Sequence, residues 1–94
     1  MLTYKAMYKL DPDGVHAEVL DFPGTITCAD TLDEARRLLA SALVDMAETN
    51  LLLGEALPVP NPQAHNSAAD IEEPIYLLLT ATSRVTTTPE LSAT

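Results

Sequence analysis

Chemistry in this chain, if it has any, has to come from its carboxylates. Asp11, Asp13, Glu18, Asp21 and Asp30 crowd the first third of the sequence. Carboxylates in such number can hold divalent cations for metal-assisted hydrolysis. Each has a plainer use. Asp11 and Asp13 sit in Asp11-Pro12-Asp13-Gly14, a turn whose backbone favours those residue types. Asp30 and Asp33 flank a helix start, where short acidic side chains cap exposed N–H groups. Glu18 alternates with Val15, Ala17 and Val19 and so falls on a strand's solvated face. No metal site, catalytic group or cofactor is therefore expected.

Other reactive side chains stand alone in the sequence. His16 reads as an exposed strand residue and His65 as a loop residue. Ser41 lacks a Gly-x-Ser-x-Gly context. Gly14, Gly24 and Gly54 are all of the glycines, each beside a turn or helix end, so there is no phosphate-cradling loop. Cys28 is the single cysteine, which excludes an internal disulfide and a four-cysteine zinc site. Within a strand pattern it reads as a small core hydrophobe.

The elements that would position these residues follow from periodicity. Leu2, Tyr4, Ala6, Tyr8 and Leu10 alternate with Thr3, Lys5, Met7 and Lys9, which predicts a half-buried strand. The Asp-Pro-Asp-Gly turn reverses it into a second strand carrying Val15, Ala17 and Val19 inward. Phe22-Pro23-Gly24 ends that strand, because proline cannot donate to a ladder. Ile26 and Cys28 continue the inward alternation as a third strand. Thr31 and Glu34 match a capping box. From Leu32 to Leu53 apolar residues recur at helical steps (Ala35, Leu38, Leu39, Ala42, Leu43, Met46, Ala47). Asp33 and Arg37 are spaced for an ion pair on its wet face. Gly54 and Pro58 follow as stop signals. A helix of about 22 residues spans roughly 33 Å, long for so small a domain. Leu51, Leu52 and Leu53 wrap most of its last turn and call for cover by another segment or subunit.

Residues 58–69 (PVPNPQAHNSAA) have no period and read as an extended connection. Residues 71–82 then carry the run Ile75-Tyr76-Leu77-Leu78-Leu79, expected as a strand buried on both faces or covered by a partner, with Pro74 at its beginning. The fold class is α+β: a three-stranded antiparallel meander, one long helix on one face and a further strand, in the order β-β-β-α-β. Residues 1–82 form the domain, and residues 83–94 read as a mobile tail.

With 94 residues one domain is expected, its core thin because Trp is absent and Phe occurs once. Self-association commonly supplements such a core. The chain has 14 acidic and 5 basic residues, net −9, which opposes direct binding to nucleic acid and favours basic partners. The N-terminus alternates and so does not read as a signal peptide, and no apolar run approaches the ~18 residues of a membrane span. A cytoplasmic location is the reading.

Taken in order, these motifs resemble the N-terminal domain of the HicB antitoxin family. The resemblance rests on the turn Asp11, Asp13, Gly14; the step Asp21-Phe22-Pro23-Gly24; the helix start Thr31, Glu34, Ala35; and the helix exit Gly54-Glu55-Ala56-Leu57-Pro58-Val59-Pro60. It covers residues 2 to 60 and, more loosely, to 82. It implies a partial RNase H-like fold, and binding to a small basic HicA-like RNase toxin. Full antitoxins of the family carry a C-terminal DNA-binding module. Here Arg84–Leu91 only faintly resembles the start of one, so binding to operator DNA is not expected. Leu51–Leu53 and Ile75–Leu79 are the expected surfaces for packing against a homo-oligomer or a partner. The alternatives are a stand-alone oligomeric protein of this type with no toxin partner and, more remotely, a divergent RNase H-like nuclease.

Overall fold

The computed structural model describes residues 1–78 of the chain. Leu79, residues 79–82 of the expected strand and the expected tail 83–94 lie outside the described residues. The elements are β1 (Leu2–Asp11), β2 (Gly14–Val19), β3 (Ile26–Ala29), α1 (Leu32–Leu52) and β4 (Ile71–Leu77). They form a four-stranded antiparallel sheet in the order β3-β2-β1-β4, with α1 on one face. The expected β-β-β-α-β order and α+β class hold.

Two turns make the meander. Asp11 pairs with Gly14, leaving Pro12-Asp13 as the two-residue loop. Gly14 has φ +145°, and a Cβ there would lie 2.7 Å from the Ala29 carbonyl oxygen, so no larger residue fits. Between β2 and β3, Pro23 and Gly24 occupy the central positions of a turn closed by the Thr25 N–H donating to the Phe22 carbonyl (3.3 Å). Gly24 has φ +88°, as the third position of a type II turn requires.

Thr31 caps α1, its Oγ1 accepting from the Glu34 N–H at 3.2 Å. The other half of the expected capping box is not made. The Glu34 carboxylate lies 3.6 Å from Arg37, and Asp33 lies 3.8 Å from Arg36. The expected Asp33–Arg37 pair is thus replaced by two pairs at i,i+3, which share the same helix surface. The helix closes one residue earlier than expected, with Leu53 as its cap. Gly54 and Glu55 donate back to the carbonyls of Leu51 (3.1 Å) and Asn50 (2.8 Å), a Schellman closure.

The core lies between α1 and one sheet face. Ala35, Leu39, Leu43 and Ala47 of the helix meet Tyr4, Ala6, Tyr8, Val15, Ala17, Val19, Phe22 and Leu77. Tyr4 and Phe22 pack edge to face, with ring centroids 5.3 Å apart. Fully burying a leucine such as Leu39 or Leu43 contributes about 1.5–3 kcal/mol, and few large residues share that work here.

Four expectations are corrected. Ile26 and Cys28 do not point into the core; both are exposed. They pair with Glu18 and His16, and partners across a ladder share a face, so all four lie on the sheet's outer side. Leu10, expected on the inner face, is half exposed beside the hairpin turn. Met7, expected on the wet face, is buried. The connection 58–70 crosses back over that face: the Lys5 ammonium donates to the Ala64 carbonyl at 3.1 Å, and the Asn66 N–H donates to Glu72 at 2.9 Å. Lastly, β4 is not buried on both faces. It is an edge strand that alternates, and Pro74 sits at its middle rather than its beginning. An edge tolerates proline because the missing N–H would face away from the sheet.

Candidate interaction surface

Three regions bring functional groups together: the acidic turns, the strap formed by the connection 58–70, and the apolar end of the molecule.

The turns come first. Asp11, Asp13, His16, Cys28 and Asp30 border an open concavity of about 540 Å³. The Cys28 Sγ lies 3.9 Å from His16 Nδ1, and His16 Nε2 lies 3.5 Å from Glu18. Sequence reasoning treated Cys28 and His16 separately; the β2–β3 register is what places them side by side. Among the described residues, no group of three or more His, Cys, Asp or Glu is placed to hold a metal ion.

Asp21 is not part of this group. Its two carboxylate oxygens accept from the backbone N–H of Lys5 (2.9 Å) and of Asn61 (2.8 Å). It therefore prolongs the bonding of β1 past the end of β2 and ties down the strap. Asp70 does the same at the other end, accepting from the Leu10 N–H at 2.6 Å. Sequence reasoning missed Asp70, since its partner lies 60 positions away. Glu72 completes the fastening. The Asn66 N–H, His65 Nδ1 (2.7 Å) and, at 3.9 Å, the Lys5 ammonium converge on it. These contacts, the Asn66 bond above all, hold its carboxyl below the usual value. His65 is thus an exposed loop residue that also pairs with Glu72.

On the helix side Arg36 grips Glu73 of β4 with two hydrogen bonds, at 3.0 and 2.9 Å, while its guanidinium lies 5.8 Å from the centre of the Tyr8 ring. Burial, and next the Glu73 charge, push the Tyr8 hydroxyl up to about 12. The ion pair fastens α1 to β4.

The apolar end follows from lengths. Met46 lies against Gly24 at the β2–β3 turn, its Cε 3.3 Å from where a Cβ would sit. The helix continues six residues further, about 9 Å, past that turn. Leu52 and Leu53 are each 67% exposed there, and Leu51 is half-buried. β4 finishes at the same end of the sheet, where Tyr76 and Leu78 are exposed beside Met1. Of the run expected to pack outward, Leu77 is buried in the chain's own core and Ile75 packs against it. Pro58 closes this end: its carbonyl accepts from the Tyr4 hydroxyl at 2.7 Å, and Pro60 follows, half-buried.

The architecture, a meander covered by one capped helix with a returning edge strand, is that of the N-terminal domain of HicB antitoxins. The N-terminal domain of the Burkholderia pseudomallei antitoxin HicB is similar with a TM-score of 0.69 at 20% identity, over 83% of this chain and 100% of that domain. The longer structure of the Burkholderia pseudomallei antitoxin HicB is similar with a TM-score of 0.68 at 18% identity, over 100% of this chain and 75% of that one. The chain thus has a HicB-like fold. No family model matches the sequence, and no curated protein matches it. No described helix is long and apolar enough to cross a membrane.

Proposed function

We propose that this protein is an antitoxin-type binding protein, non-enzymatic and cytoplasmic, that covers the RNA-contacting surface of a small basic HicA-like RNase. The observation that carries the reading is the fold: the chain matches the whole of an antitoxin's N-terminal domain. The net charge of −9 supports it, because a basic RNA-cleaving protein is drawn to an acidic surface and is held off RNA once covered. The exposed Leu52 and Leu53, with Tyr76 and Leu78, supply apolar contact to such a partner.

The test is co-purification with a small basic protein encoded beside this gene, at low salt, followed by an RNA-cleavage assay. The expected outcome is a complex that leaves RNA intact. Absence of binding at micromolar concentration rejects the reading. A second reading, an oligomer of this chain with no toxin partner, is favoured by the same exposed leucines and predicts self-association without any added protein.

A further inference from the structure

The outer edges of the sheet differ in a way that points to a self-association surface. In the β2–β3 ladder, the Val19 N–H donates to the Thr25 carbonyl at 2.9 Å. Groups on alternate residues then turn the same way, so Thr27 and Ala29 bond back to β2. The N–H and C=O of Ile26 and of Cys28 turn outward, away from the sheet. At the other edge, the Leu20 N–H donates to the Lys5 carbonyl, so Lys5 and its alternates turn toward β2 while Leu2, Tyr4, Ala6 and Tyr8 turn toward β4 and bond to their partners Leu77, Ile75, Glu73 and Ile71. Glu72, Pro74 and Tyr76 turn outward there. The central one is a proline with no N–H to offer, and an acidic residue stands beside it, both common devices that blunt an edge.

We propose that β3 is the edge through which two copies of this chain pair, antiparallel, into one continuous sheet. The charge distribution selects a second copy over a basic protein as the occupant. Among the described strands, Ile26-Thr27-Cys28-Ala29 is the one without a charged residue or proline, in a chain of net charge −9. A copy meeting its own like charge needs such a neutral strip, whereas a basic partner is drawn elsewhere. A two-fold axis also keeps the acidic turns apart. The end of β3 next to Asp30 meets the partner's Pro23-Gly24-Thr25 turn, which carries no charge.

The register is fixed by the same groups. Placing Thr27 opposite Thr27 of the partner subunit uses all four outward groups on each copy, with Ile26 opposite Cys28 of the partner subunit. Ile26, 53% exposed in the single chain, is then covered. The helix flank made by Leu38, Ala42 and Met46 lies on this side of α1. Met46 touches the β2–β3 turn, and the Arg36–Glu73 pair marks the other side. Leu38 and Ala42 are only half-buried there.

The experiment is sedimentation velocity on the full chain with nothing added, so its outcome is independent of any toxin. A dimer is expected, and Ile26→Asp should weaken it by roughly tenfold or more, since unlike apolar cover it brings like charges to the seam. Ile26→Cys tests the register. Residues directly opposite lie roughly 5.5 Å apart at the Cα, within disulfide reach, whereas two Cys28 residues lie diagonally at roughly 7–8 Å, outside it. Under mild oxidation Ile26→Cys should therefore become a covalent dimer while the native chain does not. Ile26 is exposed, so neither change threatens the fold. A monomer at all concentrations, a dimer unmoved by Ile26→Asp, or oxidised Ile26→Cys that stays monomeric overturns the proposal.

Discussion

β3 and β4 are both edge strands of one sheet, yet they are built on opposite plans. β3 is short, neutral and held to its neighbour β2 by the backbone ladder. β4 is longer, carries Glu72, Glu73 and Pro74, and is fastened from both sides, by the strap at Glu72 and by Arg36 at Glu73. The difference teaches that one edge is closed to further pairing and stabilised within the chain, while the other is left plain. Each half of that contrast can be broken separately.

The largest effect is expected from Leu77→Ala. Leu77 is 1% exposed and anchors β4 to the core, so the truncation should cost about 3 kcal/mol in urea unfolding, within the usual range for a buried leucine. A cost under about 1 kcal/mol would mean that β4 is held mainly by its polar fastenings. Gly14→Ala should cost about 2 kcal/mol, since a side chain at φ +145° is strained and its Cβ would meet the Ala29 carbonyl oxygen. Amide exchange should show the loss concentrated in β3 and the adjoining end of β2.

Pro74→Thr should leave the unfolding midpoint nearly unchanged, yet raise concentration-dependent association by giving β4 back an outward N–H. If association stays the same, proline is not what closes that edge. The smallest effect concerns pH. The Glu72 carboxyl is held below its ordinary 4.5, so its contribution is present above that value and fades as pH falls through the folded value. Glu72→Gln should lower stability at neutral pH and flatten the acid limb of the stability curve. A limb of unchanged steepness would assign the acid loss to other carboxylates.

Much of the scaffold was legible because its signals are local. Pro12, Gly14, Pro23 and Gly24 announce their turns, Thr31 its cap, and the Leu39–Leu43–Ala47 stripe its face, all within a few residues of where they act. The misreadings share a cause. Alternation showed that Ile26 and Cys28 share a face but not which one, because that depends on the register with β2. The run Ile75–Leu79 looked doubly buried because an apolar run is the same whether a strand lies inside a sheet or at its edge. Asp21 suggested metal chemistry, and only folding brings it to Lys5 and Asn61, 16 and 40 positions away.

The sequence by itself determined the turns, the helix with its caps, the α+β order and the acidic character, since each follows from backbone preference, short-range spacing or composition. Only the tertiary structure decided which edge of the sheet is closed and which is open. It also decided that the strap covers Met7, and that the helix runs past the β2–β3 turn and leaves Leu52 and Leu53 uncovered. Those outcomes depend on the register between strands and the lengths of packed elements, and both are settled only when distant segments meet.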